Sequence, residues 1–154
     1  MRFFFAMAVW LAMAVAVRAA ETIVLDAKDA KIEQPQDGMA KYETIPNRLC
    51  IGFWHSTNIV ARWSLNVPAK SAYRVVAVLS CMKGSEGAQF EVRVAGQRAA
   101  GFVPSTDDWG RFVELDLGPV LLRKPGPAEL TVQAITMPHG SAMNLRAVRL
   151  VPEG

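Results

Sequence analysis

Apolar and polar residues alternate one by one along much of this chain, and that alternation restricts the fold more than any other feature. It is clearest over residues 59–67, 89–94, 112–117 and 129–134. A β-strand sends successive side chains to opposite faces, so a period of two residues predicts strands with one buried face. Trp63 lies on the apolar face of its segment, which predicts a place in the core. The sequence therefore predicts an all-β protein.

Glycine and proline separate these segments in the way that a β-sandwich requires. Ala95-Gly96 predicts a hairpin turn, Pro125-Gly126-Pro127 predicts another turn, and Pro119 is expected to interrupt its strand. Residues 73–80 are apolar on both faces, which is typical of a central strand. About ten strands at a spacing of about 8–12 residues, with no convincing helix, predict a jelly-roll β-sandwich.

The first 19 residues differ from the rest and predict a cleaved signal peptide. Arg2 supplies the positive start, residues 3–17 form an uncharged apolar run, and Ala19 stands at the −1 position of a cleavage site. The run of about 15 residues is shorter than the roughly 20 that a membrane span needs. A retained N-terminal anchor is the alternative. Cleavage predicts a secreted or periplasmic protein in which residues 20–154 form one domain.

The charge balance of residues 20–154 argues against two classes of partner. The whole chain has 17 Lys and Arg against 14 Asp and Glu, and both Arg2 and Arg18 leave with the signal peptide. The remaining surface is therefore nearly neutral. It gives no electrostatic reason to expect nucleic acid or an anionic membrane as a partner.

Two cysteines, Cys50 and Cys81, remain after cleavage. An even number of cysteines in an exported chain favours a disulfide, which would close a loop of about 30 residues and contribute roughly 3–4 kcal/mol. Two buried free thiols are the alternative. We predict the disulfide.

Three short segments carry the candidate binding residues, because they place aromatic or amide side chains beside turns. Gly52-Phe53-Trp54 has a glycine that indicates a bulge or a close backbone approach, and one of its two aromatic side chains is expected to face outward. Trp109 follows two aspartates, and Asn144 opens the last strand. Each also has a structural interpretation: Trp109 covers the end of the sandwich, and Asn144 satisfies backbone groups at a strand start.

Aromatic rings and amides together suit a sugar. A pyranose ring has an apolar face of C–H groups, which a ring such as Trp109 covers with little loss of side-chain entropy. The amide of Asn144 both donates and accepts, so it can bridge neighbouring hydroxyls. If the fold brings Trp109 and Asn144 together, they form a sugar-binding pair.

The sequence does not predict an enzyme. Asp107 and Asp108 are adjacent, so their carboxyl groups diverge in an extended segment, whereas a glycosidase pair faces across a cleft. His55 and His139 lie in separate loops without the spacing of metal ligands. No serine has the context of a nucleophile elbow.

The order of several motifs gives the chain a resemblance to a known family. They are Gly52-Phe53-Trp54, Arg62-Trp63, Val67-Pro68, Tyr73-Arg74-Val75, Phe90 to Gly96, Thr106 to Trp109, Leu117-Gly118 and Met143 to Arg146. In this order they resemble the galactose-binding-like jelly rolls, in particular the carbohydrate-binding modules of families 6 and 35. They resemble still more the related modules appended to secreted bacterial α-L-fucosidases and sulfatases. The resemblance covers about residues 22–152.

The resemblance implies a ligand cleft in the loops at one end of the sandwich. Its walls would be Phe53 or the neighbouring Trp54, together with Trp109 and Asn144; Phe53 stands where family 6 usually has tyrosine and lacks that hydroxyl. The family often holds a structural calcium ion. Here residues 26–29 replace its Glu-x-Glu motif and Arg146 stands where an acid is common, so we predict no metal and no cofactor.

These observations predict a secreted, non-catalytic carbohydrate-binding module. Its ligand would be a polysaccharide or other glycan, and it would act alone or beside a secreted glycoside hydrolase or sulfatase. The alternative is an exported structural or protein-interaction sandwich whose sugar cleft has degenerated, because a fold does not fix a function.

Overall fold

A computed structural model describes residues 19–154, and residues 1–18, which hold almost all of the predicted signal peptide, lie outside them. The described residues form eleven β-strands in two antiparallel sheets that pack face to face. The predicted all-β sandwich is confirmed, with one strand more than the approximate count from sequence. Among these residues, no helix is long and apolar enough to cross a membrane.

The alternating segments over residues 59–67, 89–94, 112–117 and 129–134 lie almost entirely in strands, as predicted. Eleven strands lie in the described residues. They are β1 (Ile23–Asp26), β2 (Lys31–Glu33), β3 (Lys41–Glu43), β4 (Cys50–Gly52), β5 (Val60–Val67), β6 (Ser71–Ser80), β7 (Gln89–Val94), β8 (Gln97–Phe102), β9 (Val113–Leu122), β10 (Gly126–Thr136) and β11 (Asn144–Pro152). A 3-10 turn over Ala27–Asp29 follows β1.

The strand order places β11 in the middle of one sheet. That sheet runs β3-β4-β11-β6-β9, with β1 pairing along the later part of β11; the other sheet runs β2-β5-β10-β7-β8. The predicted central strand over residues 73–80 is part of β6, which lies between β11 and β9. Because β4, β6 and β11 are neighbours, the end of β4, the end of β6 and the start of β11 meet at one end of the sandwich.

The core lies between the two sheets and consists of the apolar sets that the alternation identified. Tyr73, Phe90 and Leu130 are fully buried there. Trp63 is 3% exposed, as its position on the apolar face predicted, and its Nε1 donates a hydrogen bond of 2.7 Å to the carbonyl oxygen of Asp26. The indole therefore fills the core without leaving its N–H unpaired.

The expectation that Pro119 interrupts a strand is wrong. β9 continues through Pro119, which lies opposite Arg74, and the register shifts between Arg74 and Val76. Gly118 adopts a φ of 96°, a conformation that glycine enters at little cost. Since β9 is the outermost strand of its sheet, the missing N–H of Pro119 can face away from the ladder.

The predicted disulfide is also wrong, because Cys50 and Cys81 are both free and buried. Cys50 begins β4 and Cys81 follows β6, and β11 lies between those strands. Two interstrand spacings separate strands so placed by about 10 Å, beyond the roughly 4.4–6.8 Å between Cα atoms that a disulfide spans. Burial raises the pKa of Cys50 to about 12 and that of Cys81 to about 11, so neither is a thiolate nucleophile at neutral pH.

Candidate functional site

A hollow of about 180 Å³ lies at the end of the sandwich where β4 and β6 end and β11 begins. The four candidate binding residues from the sequence all line it. The complete lining is Glu43, Arg48, Phe53, Trp54, His55, Trp109, Ser141, Met143 and Asn144.

Hydrogen bonds to Ser80, Cys81 and Asn144 fix the segment that carries Trp109. The hydroxyl of Thr106, a buried residue, accepts from the N–H of Cys81 at 2.9 Å, and the N–H of Thr106 donates to the carbonyl of Cys81 at 2.8 Å. The carbonyl oxygen of Trp109 accepts from the hydroxyl of Ser80 at 2.6 Å and from the amide of Asn144 at 3.1 Å. The half-buried indole is therefore presented by a rigid loop.

Asn144 has a structural role and also contributes a polar group to the hollow. Its residue is 7% exposed, and its Nδ2 donates to the carbonyl of Trp109, which satisfies a backbone acceptor. Within residues 19–154 its Oδ1 has no hydrogen-bond partner among protein atoms. The amide thus holds the Trp109 loop with one end and brings an unused acceptor to the wall of the hollow.

Phe53 and Trp54 divide as the sequence predicted, and the structure shows which faces outward. Phe53 is 40% exposed and has a φ of 57°, whereas Trp54 is 1% exposed. The Nζ of Lys41 lies 4.9 Å from the centre of the Phe53 ring, and His55 meets that ring edge to face. Phe53 therefore offers an open ring, and Trp54 forms part of the floor.

Trp54 carries an unusual feature for a core residue. Its Nε1 is buried and has no hydrogen-bond partner among the described residues. An unpaired buried N–H costs on the order of 1–3 kcal/mol relative to a paired one. Trp54 thus carries a buried donor that no other described residue uses.

Glu43 is one of the lining residues that the sequence analysis did not name as a candidate. It is 7% exposed at the end of β3, and the Sγ of Cys50 lies 3.6 Å from its Oε2. A Cβ at position 52 would lie 2.8 Å from the Cδ of Glu43, so Gly52 leaves the space that this carboxyl group fills. The close approach that Gly52 indicated is therefore made by a side chain, and that glycine was the available signal.

His55 ties the loop before β11 to the exit of β4. Its Nδ1 lies 3.0 Å from the carbonyl oxygen of Gly140 and 3.2 Å from the hydroxyl of Ser141. A carbonyl oxygen only accepts, so Nδ1 carries the hydrogen in that contact. Ser141 and His55, which both line the hollow, are thereby held in contact with each other.

The family that this chain resembles often holds a structural calcium ion. Here residues 26–29 and Arg146 stand at the corresponding positions, and they do not fit that metal. Asp26 accepts from the N–H of Lys28 at 2.9 Å, and Asp29 pairs with the Nζ of Lys28 at 2.6 Å. Arg146, at the sequence position where that family commonly has an acid, carries a positive charge instead. In the part of the chain that the structure covers, no three His, Cys, Asp or Glu side chains group as metal ligands.

Several solved structures share this fold. A family 35 carbohydrate-binding module from Clostridium thermocellum is 16% identical, with a TM-score of 0.69, and the match covers 87% of this chain and 100% of that one. A family 6 module of lichenase 5A from Cellvibrio mixtus, solved in complex with cellotriose, is 16% identical, with a TM-score of 0.63 and coverage of 86% and 98%. No protein-family model and no curated protein matches the sequence.

The same fold also occurs in a protein of a different kind. The insecticidal crystal protein Cry2Aa is 17% identical, with a TM-score of 0.66, and the match covers 85% of this chain and 21% of that one. The chain therefore has the sandwich fold of family 35 and family 6 carbohydrate-binding modules. At these identities the likeness establishes the fold, and the function has to be argued from the site.

Proposed function

We propose that this protein is a non-catalytic carbohydrate-binding module that binds a glycan in the hollow at the end of the sandwich. One observation carries the proposal: the rings of Trp109 and Phe53 and the polar groups of Asn144 and Glu43 line the same hollow. Rings cover the apolar face of a sugar, and an amide and a carboxylate accept from its hydroxyls. The cellotriose complex of the similar family 6 module supports a ligand of this class.

The size of the hollow favours a single sugar ring of a longer chain. Its volume of about 180 Å³ is below the roughly 300–1,000 Å³ of sites that enclose a drug-sized ligand. A shallow, partly hydrated site of this kind binds weakly, with Kd values on the order of tens of micromolar to millimolar.

The backbone at Phe53 supports a role for its exposed ring. A bulky residue other than glycine rarely adopts positive φ, and such conformations cost about 1–3 kcal/mol and concentrate at functional sites. Among the described residues, Asn47, Phe53, Ala95 and Asp107 adopt it. Three of these four lie in the loops around the hollow, and Ala95 belongs to the predicted hairpin turn.

The chemistry of the hollow supports binding without catalysis. Glu43 is the one acidic residue of its lining, whereas glycoside hydrolysis uses a pair of carboxyl groups about 5–9.5 Å apart. The Nδ1 of His55 holds its hydrogen on the carbonyl of Gly140, so it does not take a proton from Ser141. No nucleophile is therefore activated by this pair.

We also propose that the protein acts outside the cytoplasm, alone or beside a secreted glycoside hydrolase or sulfatase. The apolar run over residues 3–17 and the small residue Ala19 support export. The full chain, expressed in a bacterium, is expected to accumulate in the periplasm or medium with Ala20 at its N-terminus. Edman sequencing of the recovered protein measures this, and an intact Met1 in the membrane fraction would show a retained anchor instead.

Phe53 provides a first test of the proposed site, since the chain offers a matched control. Phe53→Ala is expected to weaken retention on a polysaccharide affinity gel several-fold, because it removes an exposed ring at the hollow without disturbing the core. Phe102 is 63% exposed on β8, in the other sheet. Phe102→Ala is expected to leave retention unchanged. Equal effects of the two substitutions, or none for Phe53, would contradict the assignment and favour a protein-interaction sandwich with a degenerate cleft.

A further inference from the structure

A separate hollow of about 680 Å³, here called the far hollow, lies at the end of the sandwich opposite the proposed glycan site. β5 and β9 end beside it and β10 begins there, whereas β4 and β6 end at the glycan site. Its volume lies within the roughly 300–1,000 Å³ of small-molecule sites. The lining of the far hollow is Val67, Ala95, Gln97, Leu121, Arg123, Lys124, Pro127, Ala128 and Glu129.

The interior of the far hollow is apolar and adjoins the core. Val67 and Ala128 come from one sheet and Leu121 comes from the other, so the hollow opens between the two sheets. Val67 is 2% exposed, and Ala128 packs against buried core residues. An apolar group placed here would contact both sheets and lose its contact with water, which favours its binding.

Gln97 fixes one wall of the far hollow. Its Oε1 accepts from the N–H of Leu121 at 2.7 Å, and its Nε2 donates to the carbonyl oxygen of the same residue. These two hydrogen bonds join β8 to β9 and use both polar ends of the amide. The wall is therefore formed without a ligand, which lowers the ordering cost of binding one.

The charged residues of the lining leave a positive balance. Glu129, the one acid of this lining, pairs with the Nη1 of Arg62 at 3.1 Å. Arg123 and Lys124 are exposed and form no salt bridge with any described residue. Even if the charge of Glu129 is counted in full, two cations face one carboxylate.

This chemistry differs from that of the proposed glycan site. None of the nine lining residues, all within residues 67–129, is aromatic, so the far hollow has no ring to cover the face of a sugar. An apolar interior beside two free cations fits a molecule with an apolar body and one anionic end. A carboxylate is an anion that a guanidinium pairs with through two parallel hydrogen bonds.

We propose that the far hollow binds a single-chain fatty acid. Its alkyl chain enters between the sheets at Val67, Leu121 and Ala128, and its carboxylate pairs with Arg123 and Lys124 at the mouth. The far hollow and the glycan site lie at opposite ends of the sandwich, so the two ligands bind independently of each other.

The test is isothermal titration calorimetry of the exported protein, recovered after expression of the full chain, with ligands kept below their micelle-forming concentrations. Decanoate is compared with decylammonium, which has the same alkyl chain, and with octanoate, which has the same head group. We expect decanoate to bind about tenfold more tightly than decylammonium, because hydrogen bonds to charged groups are among the stronger ones. We expect it to bind several-fold more tightly than octanoate, since each fully buried methylene contributes about a factor of four. Equal affinities for decanoate and decylammonium, or no binding of decanoate, overturn the proposal.

Two double substitutions separate a specific site from general attraction. Arg123→Gln, Lys124→Gln is expected to weaken decanoate binding by about tenfold, because it removes both cations of the far hollow. The matched control is Lys28→Gln, Lys83→Gln, two exposed lysines that follow β1 and β6 away from the far hollow. This control is expected to leave the decanoate affinity unchanged. Equal losses in the two double variants would contradict the proposed site.

Nuclear magnetic resonance of the isotopically labelled protein locates the bound chain. Decanoate is expected to shift the amide signals of Ala95, Leu121 and Ala128 and to leave that of Trp109 unchanged. The reverse pattern would place the fatty acid in the glycan site and overturn the proposal. Since the far hollow shares no residue with the glycan site, a failure of the proposed glycan binding leaves this result unaffected.

Discussion

Trp109→Ala is expected to abolish retention on a polysaccharide gel while the protein stays folded. The indole is half-buried, lines the hollow and is the more exposed of the two indoles there. Truncating a central aromatic anchor typically costs about 2 kcal/mol or more of binding free energy, a loss of about 30-fold. For a site with a Kd already near the millimolar range, a loss of this size removes detectable binding.

The fold is expected to survive this change because the loop is held through its backbone. Ser80 and Asn144 donate to the carbonyl oxygen of residue 109, and Thr106 is anchored to Cys81. These contacts do not involve the indole. We therefore expect a small decrease in melting temperature, measured by differential scanning fluorimetry beside the gel assay.

Trp109→Phe is the graded control for this prediction. It keeps an aromatic face of smaller area in the same loop, so it should retain part of the affinity. Wild-type retention in Trp109→Ala would contradict the proposed site. Loss of retention accompanied by loss of the native circular dichroism spectrum would assign the residue to the fold, and the role in binding would then rest on Trp109→Phe.

The fold was predictable because the physical signal is repeated along the chain. In β5, β7 and β10, alternate residues point between the sheets, so the sequence of each strand indicates which of its faces is buried. The turn at Ala95-Gly96 is predictable for the same local reason, since both residues adopt positive φ there. Each of these features depends on neighbours in sequence and not on distant contacts.

The features that could not be predicted depend on strand order. Whether Cys50 and Cys81 pair is decided by β11 lying between their strands, and no local pattern encodes that neighbour. Pro119 is tolerated because β9 is an edge strand, which also follows from the sheet order. Rules that use only neighbouring residues predict that a strand ends at a proline and that two cysteines of an exported chain form a disulfide.

In the candidate site, too, some features follow from the local sequence and others depend on the order of the strands. Trp109 and Asn144 are about 35 positions apart, and their meeting follows from the resemblance to known modules, which supplied the topology in advance. The choice between Phe53 and Trp54 required the direction in which the chain leaves β4, which the positive φ of Phe53 decides. Glu43 was missed because a single acid at the end of a short strand resembles an exposed charge until Gly52 is placed opposite it.

Trp54→Ala is expected to have the largest effect on stability of any substitution at the site. The indole is 1% exposed and is among the largest fully buried side chains of the described residues. Truncation of a buried tryptophan costs about 3–5 kcal/mol, through lost apolar burial and the cavity that remains. Since domains are commonly stable by about 5–15 kcal/mol, this change removes a large part of the total. Equilibrium unfolding in urea, followed by circular dichroism, measures the difference.

Trp54→Phe separates the packing of this side chain from its unpaired N–H. Phenylalanine fills less of the cavity but removes a buried donor that has no partner among protein atoms, a group whose isolation costs on the order of 1–3 kcal/mol. The two effects oppose each other, so Trp54→Phe is expected to cost much less than the alanine substitution and to leave a folded protein even if Trp54→Ala does not fold. Equal losses of stability for the two variants would contradict this expectation. They would mean that the N–H of Trp54 is hydrogen-bonded in solution, for instance to a water molecule, and that removing this hydrogen bond costs as much as removing the ring.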